Sequence, residues 1–198
     1  FKKPVVRDDV VWTYSAVRPL YDDGASKAQE ATRDYVLKVD GGPTEAKLLN
    51  IFGGKITTYR RLAEAAMTEI DQVFARTTQP WTGSSALPGG NFAVDGTNDE
   101  IARLKGAYPF LDNRNANRLI RAYGTRAHDV LAGAREPADL GQDFGFGLTE
   151  REIEYLRQNE WAMTADDILW RRSKLGLRYS ADDIKALSGW LSAHADAA

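Results

Sequence analysis

The sequence contains no cysteine and only two histidines, His128 and His194. Disulfides and thiolate metal sites are therefore excluded, and a histidine-rich metal site is not expected. No apolar run approaches the roughly 20 residues that a membrane-spanning helix needs, and no segment has the form of a signal peptide. The formal net charge is -2, so bulk electrostatics gives no reason to expect nucleic-acid binding.

The remaining composition is that of an ordinary soluble globular protein. The chain has 198 residues, of which 43% are hydrophobic and 27% are charged. This length suffices for one large domain or for two small ones. Because the first residue is Phe1 rather than Met, we expect the chain to be a piece of a longer protein.

The most informative stretch is a short apolar run that ends at two glycines and leads directly into a helical pattern. Residues 48–52 have the form of a buried strand, and Gly53 and Gly54 follow them. From residue 56 to residue 74, apolar or small residues recur with the period of one helix face. Glycines let a ligand approach the backbone, and the first N–H groups of a helix attract anions. The pattern predicts an anion or cofactor site.

The residues that follow the glycines can be interpreted in two ways. In a ligand site, Lys55 adds a positive charge, and Thr57 and Thr58 add hydroxyl groups. A tight strand-to-helix turn with capping threonines explains the same residues without any ligand. A triphosphate-binding P-loop is excluded, because Ile56 separates Lys55 from Thr57.

Two further strands are predicted in the first part of the chain. Residues 9–17 and 32–39 are rich in β-branched and aromatic side chains, and residues 40–43 have the composition of a turn. Together with residues 46–52 they make three short strands, which form a poor core with a single helix. We therefore expect partner strands that lie outside this chain.

A boundary and a helical region follow. Residues 77–98 are rich in Thr, Gly, Ser and Pro, which favours a junction between two units. From residue 98 to residue 195, punctuated apolar periodicity predicts a bundle of about six helices, with Trp161, Trp170 and Trp190 in its core. The predicted caps are Asn98, Asp112 or Asn113, Thr125, and the pairs Thr149/Glu152, Thr164/Asp167 and Ser180/Asp183.

The predicted fold is α+β and predominantly α. A small partial β-sheet and a long helix that begins at the glycines occupy residues 1–78. Residues 79–97 are a linker, and residues 98–198 form an α-helical bundle domain.

Three basic residues are candidates for binding an anion. Arg18 follows a predicted strand and can hold a phosphate or a carboxylate through two parallel bonds, or it can pair on the surface with Asp22 or Asp23. Arg33 has the same two interpretations. Lys55 is a cation at a helix start, which opposes the helix dipole. A residue that breaks a local rule invites a functional explanation.

Several motifs together resemble one family. In order and spacing they resemble flavin-dependent (aerobic, respiratory) glycerol-3-phosphate dehydrogenase, and the resemblance covers nearly the whole chain. Any one motif alone carries little weight. The segments are 11–20 (VWTYSAVRPL), 32–35 (TRDY), 52–60 (FGGKITTYR), 87–90 (LPGG), 140–144 (LGQDF) and 166–174 (DDILWRRSK).

The resemblance implies a flavoenzyme of which this chain is the C-terminal part. The family enzyme oxidises sn-glycerol 3-phosphate to dihydroxyacetone phosphate, passes a hydride to FAD and delivers electrons to a membrane quinone. Its dinucleotide-binding fold carries a Gly-x-Gly-x-x-Gly fingerprint, which is expected before Phe1 and does not occur here. We therefore expect the isolated chain to be inactive and to bind no FAD.

The resemblance also implies roles for individual residues. Gly53, Gly54, Lys55, Thr57 and Thr58 would line the flavin. A helix start aimed at the flavin would stabilise the negative charge that grows on reduction, and the catalytic Lys55 would add to that effect.

The substrate site, partners and location are implied in the same way. Arg18 and Lys55 would face the substrate, and Arg33 is a secondary candidate. The partners would be sn-glycerol 3-phosphate, a quinone and a second copy in a homodimer, without nucleic acid. The location would be cytoplasmic, with peripheral association to the inner membrane. The alternative is a helical interaction or dimerisation module without chemistry of its own, which would not need the Gly-Gly-Lys helix start.

Overall fold

The computed structural model describes residues 3–17, 20–21, 24 and 34–194. The chain divides into two compact units, Phe1–Ser85 and Ala86–Ala198. In the described residues, a two-stranded sheet accompanies six α-helices. The predicted fold class, predominantly α with a small sheet, is confirmed.

The first unit contains a β-hairpin followed by a long helix. Strands β1 (Tyr35–Asp40) and β2 (Leu48–Gly53) pair antiparallel. A single 3₁₀ turn, Ile56–Thr58, leads into helix α1 (Tyr59–Val73). The predicted order of strand, glycine pair and helix is therefore confirmed.

The predicted strand over residues 9–17 is wrong. Arg7–Asp9 form a short 3₁₀ helix, and residues 10–17 have no regular structure. Val11 is 74% exposed and Val17 is 93% exposed. A strand needs a neighbour for its backbone N–H and C=O groups, and no described strand pairs with this segment. High β-propensity was therefore not sufficient.

Helix α1 is braced by the segment that returns along it. Asp71, the one buried residue among those described in the first unit, accepts hydrogen bonds from the Thr78 backbone N–H (3.0 Å) and from the Thr78 hydroxyl. Glu64 accepts from Arg60 Nη1 at 3.0 Å and from the Thr82 hydroxyl. The Thr82 bond lowers the pKa of Glu64 below its ordinary value, although desolvation opposes the shift.

The second unit is helical in its described residues. About six helices were predicted in this region. The structure has five α-helices, and a π-helical segment occupies the position of the remaining predicted helix. The segments are α2 (Thr97–Ala107), α3 (Asn113–Tyr123), α4 (Ala127–Val130), α5 (Glu150–Glu160), the π-helix Asp167–Arg172 and α6 (Ala181–Ala193).

Three of the predicted helix starts are confirmed. The Asp112 carboxylate accepts a hydrogen bond from the Asn115 N–H at 2.6 Å at the start of α3. The Ser180/Asp183 pair bonds reciprocally at the start of α6. Thr164 and Asp167 do the same ahead of the π-helix.

Two of the other predicted helix starts are wrong, and a third, at Thr149, is correct in position although the predicted Thr149/Glu152 capping box does not form. Helix α2 is capped by Gly96 rather than by Asn98, and Thr125 lies inside a 3₁₀ turn ahead of α4. Thr149 is the N-cap of α5, but its side chain makes no capping hydrogen bond. Glu152, the predicted partner of Thr149, is 1% exposed, because it points into the unit.

Two hydrophobic clusters form the interior of the second unit. The first joins α2, α3 and α4 through Leu104, Leu119 and Val130, and the second joins α5, the π-helix and α6 through Ile153, Ile168 and Leu187. Tyr123 packs against both clusters. Each named core side chain is at most 3% exposed, so burial of apolar surface is the main stabilising term here.

The core position predicted for Trp161 is wrong. This residue is 83% exposed and ends α5 in the left-handed conformation, with φ 53°. Trp170 and Trp190 are partly buried against the second cluster. Apolar residues at helical spacing suggested a core position for Trp161. Helix α5 ends at Glu160, however, and the backbone reverses at Trp161, so this side chain does not continue the buried face of the helix.

The segment before α2 docks onto the end of α3. Gly89 and Gly124 both have positive φ, and the Thr125 N–H donates to the Gly89 carbonyl oxygen at 2.9 Å. A Cβ on Gly124 would lie 1.9 Å from that oxygen, and one on Gly89 would lie 2.2 Å from the Tyr123 oxygen. Only glycine fits at either position.

Candidate functional site

The glycine pair reverses the chain between β2 and the start of α1. Gly53 has φ 68° and Gly54 has φ 94°, while Lys55 returns to an extended conformation with φ -124°. A Cβ on Gly54 would lie 3.5 Å from the Tyr35 Cβ, which is an ordinary contact. The positive φ, rather than lack of space, therefore requires glycine at Gly54.

Thr58 stabilises the turn through hydrogen bonds to the backbone of Lys55. Its N–H donates to the Lys55 carbonyl oxygen at 2.9 Å, and its hydroxyl donates to the same oxygen at 3.0 Å. The Lys55 N–H donates back to the Thr58 Oγ1 at 3.3 Å. The Thr58 hydroxyl is therefore already engaged with the Lys55 backbone; Thr58 is the N-cap residue of α1, but its side chain makes no capping hydrogen bond to that helix.

Thr57 and Lys55 present the groups that remain available to a ligand. Both side chains are exposed, and neither makes a hydrogen bond or an ion pair with any residue that the structure describes. Lys55 is the N-cap residue of the 3₁₀ turn that leads into α1. This turn is a concentration of positive charge, because the first N–H groups of a helical segment have no intrahelical acceptors.

The structure places five of the seven predicted site residues. Gly53 is the last residue of β2, and Gly54, Lys55, Thr57 and Thr58 lie in the single connection between β2 and α1. Arg18 and Arg33 lie outside the described residues. Their predicted contacts with a substrate stay predictions.

A buried polar network in the second unit was missed at the sequence level. Arg118 on α3 donates to both oxygens of Glu152 on α5, at 2.7 Å from Nη1 and 2.6 Å from Nη2. Tyr123 donates its hydroxyl to Glu152 Oε1 at 2.7 Å. Arg118 also donates to the Gly147 carbonyl oxygen. The network joins two helices and a loop.

The environment of the network shifts two pKa values. Burial raises the pKa of the Tyr123 hydroxyl, and the neighbouring Glu152 charge raises it further. Burial on its own would lower the pKa of Arg118, but the hydrogen bonds and charge of Glu152 outweigh it, so the pKa is raised. Both groups hold their protons, and the network is a fixed neutralised pair.

The amino-acid sequence gives only a weak indication of this network. Arg118 and Glu152 are 34 residues apart in sequence, so no local pattern connects them. Residues 113–123 contain three arginines and no acidic residue. That imbalance indicates that α3 finds its counter-charge on another element.

The described residues contain neither a cluster of metal ligands nor a helix that could span a membrane. Within residues 3–17, 20–21, 24 and 34–194, no three or more His, Asp and Glu side chains come together as a metal site would require. None of the helices described combines the length and apolar character needed to cross a bilayer.

Comparison with known proteins identifies the family. The profile described as "C-terminal domain of alpha-glycerophosphate oxidase" matches residues 80–196, which are more than half of the chain. The chain belongs to this family. The resemblance drawn from the motifs is confirmed.

The sequence similarity to individual proteins covers the first unit as well as the helical unit. The aerobic glycerol-3-phosphate dehydrogenase of Escherichia coli (strain K12) is 45% identical over 96% of this chain. A glycerol-3-phosphate dehydrogenase of Pseudomonas aeruginosa is 42% identical over 96%. The D-erythritol 1-phosphate dehydrogenase of Brucella abortus (strain 2308) is 41% identical over 96%.

These alignments cover a minor part of each relative. The chain spans 38% of the length of the Escherichia coli and Brucella proteins and 37% of the Pseudomonas aeruginosa protein. The match includes the β2–α1 turn as well as the helical unit, because it extends over nearly all of this chain.

Proposed function

We propose that this chain is the C-terminal part of an FAD-dependent dehydrogenase that oxidises sn-glycerol 3-phosphate to dihydroxyacetone phosphate. The flavin, when bound, supplies the acceptor for the hydride and the route for electrons to a quinone. The proposal is supported by the names of the similar proteins and by the β2–α1 turn. The observation that carries it is the exposed Lys55, which has no partner among the described residues and stands at a helix start.

The β2–α1 turn fits the edge of a bound flavin. Gly53 and Gly54 bring bare backbone to the surface, which allows close approach by a planar ligand. Thr57 offers a hydroxyl that has no partner among the described residues. Thr58 keeps the turn in shape through its bonds to Lys55, so its proposed role is to position the turn rather than to touch the flavin.

Lys55 has two proposed roles. Its ammonium group attracts the anionic substrate, and it stabilises negative charge that develops during oxidation. A preorganised cation contributes most to the second role, because it need not reorient as the charge appears. Arg18 is proposed to hold the substrate phosphate, since its planar guanidinium can donate two parallel hydrogen bonds. Arg33 is a further substrate-binding candidate.

The first unit has an apolar surface that supports its place in a larger domain. Large side chains such as Ile56 (86% exposed) and Val11 (74% exposed) lie open to solvent. Several large apolar side chains left open to solvent on one small unit favour a surface that another part of the protein covers. We propose that the remainder of the flavin- and substrate-binding domain covers this unit, here assigned to residues 1–78.

A second substrate is favoured by one relative. The protein of Brucella abortus, named D-erythritol 1-phosphate dehydrogenase, is nearly as similar as the glycerol-3-phosphate dehydrogenases. Glycerol 3-phosphate and erythritol 1-phosphate are both phosphorylated polyols. The same cationic turn would bind either substrate. Discrimination between the two would therefore depend on residues that contact the carbon chain of the polyol and distinguish its length.

The experiment uses a protein of the relatives' full length that contains this chain. Anaerobic addition of sn-glycerol 3-phosphate should bleach the visible flavin absorption, and D-erythritol 1-phosphate at equal concentration should bleach it more slowly. Faster bleaching by the erythritol ester would favour the second substrate. A colourless protein, or one bleached by neither ester, would contradict the proposal. The isolated 198-residue chain should be colourless, since a partial site rarely offsets the cost of association.

Three further proposals rest on the family resemblance alone. Electrons are delivered to a membrane quinone, the whole protein associates peripherally with the inner membrane on its cytoplasmic side, and two copies form a homodimer.

A further inference from the structure

A basic groove lies on the surface of the second unit. Its walls are the first two turns of α3, the loop around Phe146 and the turn over residues 173–178, and it encloses about 530 Å³. Four cationic side chains line it, namely Arg114, Arg118, Lys174 and Arg178, and no carboxylate of the described residues does. Asn113 and Asn117 add polar groups to the same wall.

Two of these four cationic side chains make no polar contact within the described part of the chain. Arg118 is paired with Glu152, and Lys174 donates to the Trp170 carbonyl oxygen. The guanidinium groups of Arg114 and Arg178 are exposed, and neither makes a hydrogen bond or an ion pair with a described residue. The groove therefore carries an excess of positive charge that no described carboxylate offsets.

The position of Arg114 is unfavourable for the helix itself. Arg114 lies in the first turn of α3, where a cation opposes the helix dipole. It also stands four residues before Arg118, so two like charges share one helix face. An arrangement that reduces the intrinsic stability of a helix is typical of a functional position.

The walls of the groove are held rigidly. A Cβ on Gly147 would lie 2.0 Å from Asn115 Oδ1, so the loop is pressed against α3, and a Cβ on Gly176 would lie 2.4 Å from the Trp170 ring. The Tyr179 hydroxyl donates to the Gly145 carbonyl oxygen at 3.1 Å and ties the turn to the loop. A rigid cradle loses little conformational entropy when it binds a ligand.

Backbone strain is concentrated at the same place. Four non-glycine residues among those described have positive φ, and two of them, Phe146 (φ 55°) and Lys174 (φ 59°), line the groove. The π-helix Asp167–Arg172 ends immediately before this wall. Left-handed non-glycine residues and π-helical turns both occur preferentially at binding sites.

We propose that this groove binds the phosphate group of an anionic ligand through Arg114 and Arg178. Guanidinium groups recognise phosphate through paired N–H donors. The exposed faces of Phe146 (39% exposed) and Leu177 (58% exposed) flank the cations and provide contact for an apolar portion of the ligand. The phosphate group belongs either to a soluble phosphate ester or to a lipid headgroup.

The first experiment measures binding of inorganic pyrophosphate to the 198-residue chain by titration calorimetry at about 0.15 M salt, where weak surface attraction is screened. The test variant is Arg114→Gln with Arg178→Gln. The matched control is Arg135→Gln with Lys185→Gln, which makes the same change in net charge at exposed positions outside the groove. Circular dichroism verifies that each protein is folded, and Arg178→Gln alone serves as a second variant.

We expect saturable binding that weakens at least about tenfold in the test variant and by less than about twofold in the control. No saturable binding, or equal losses in both double variants, would overturn the proposal. A second experiment sediments the protein with phosphatidylcholine vesicles that do or do not contain phosphatidic acid. Sedimentation that requires phosphatidic acid and is reversed by pyrophosphate assigns the phosphate to a lipid, and pyrophosphate binding without sedimentation assigns it to a soluble ester.

Discussion

Arg118 and Glu152 form a two-pronged ion pair across the interior of the helical unit, with N–O distances of 2.7 and 2.6 Å. The Glu152 side chain is 1% exposed and that of Arg118 is 19% exposed. The pair fixes α3 against α5, and the bond from Arg118 to the Gly147 carbonyl extends the connection to the loop. Helices α3 and α5 are thus joined by a polar contact that favours one relative position of the two helices.

Replacement of Glu152 by Gln should strongly destabilise the protein. The buried Arg118 charge would lose its counter-charge, and removal of one partner of a buried pair typically costs about 3–5 kcal/mol. Urea denaturation measures the change. The control is Glu154→Gln on the exposed face of α5, which should stay within about 0.5 kcal/mol of the parent. Equal effects of the two substitutions would show that the ion pair does not determine stability.

Replacement of Gly124 by Ala should disrupt the contact between the segment before α2 and the end of α3. The new Cβ would overlap the Gly89 oxygen and would also strain a positive φ, so a loss of about 2 kcal/mol or more is expected. Gly189→Ala is the control, because its Cβ would meet open space within α6. That substitution should stabilise by about 0.5–1 kcal/mol. A neutral Gly124→Ala in the same thermal or urea melts would contradict the tight approach.

Asp183 should contribute to the acid sensitivity of folding. Hydrogen bonds from the Ser180 hydroxyl and backbone N–H lower the pKa of its carboxyl group. A lowered folded pKa contributes stability that is present above the unfolded value of about 3.9 and is lost as the pH falls through the folded value. Asp183→Asn should therefore reduce the loss of stability between about pH 6 and pH 3. Asp182→Asn, one residue away and without a capping bond, should lose stability as the parent does.

The start of the helical domain can be tested by truncation. The predicted helical bundle begins at residue 98 and ends at residue 195, but Gly89 accepts a hydrogen bond from Thr125, and residues from Ala86 onward cluster with the helical unit. We propose that a piece beginning at residue 86 melts cooperatively and at a higher temperature than a piece beginning at residue 98. Identical melting curves would show that residues 86–97 contribute nothing to the domain.

Local sequence chemistry accounts for the correct predictions. Asp112 and Ser180 cap helices through bonds to residues three positions away, so the signal lies within one turn. The glycine pair at 53 and 54 determines a left-handed backbone at its own position. Features of this kind can be predicted from the sequence, because the residues that determine them lie next to the residues whose structure they determine.

The wrong predictions depend on contacts between distant residues. Glu152 has the sequence context of a capping residue but bonds to Arg118, 34 positions away. Trp161 follows the apolar period of α5, but the helix ends before it and the backbone reverses at this residue. Residues 10–17 have strand composition without a described partner strand. In each case tertiary context overrides a local preference.

Arg18 and Lys55 should affect catalysis differently in a protein of the relatives' full length. Arg18 is proposed to bind the substrate phosphate equally in the ground state and the transition state, so Arg18→Ala should mainly raise KM, by well over about tenfold.

The central claim, that the β2–α1 turn belongs to the flavin and substrate site, is tested most directly by Lys55→Met in the same full-length protein. Steady-state kinetics with sn-glycerol 3-phosphate should show kcat reduced on the order of 10²-fold, as for other preorganised charge-stabilising groups. Lys185→Met, an exposed lysine on α6, is the control, and flavin content is measured in each protein. A Lys55→Met enzyme with full flavin occupancy and both kcat and KM within about twofold of the parent would contradict the account.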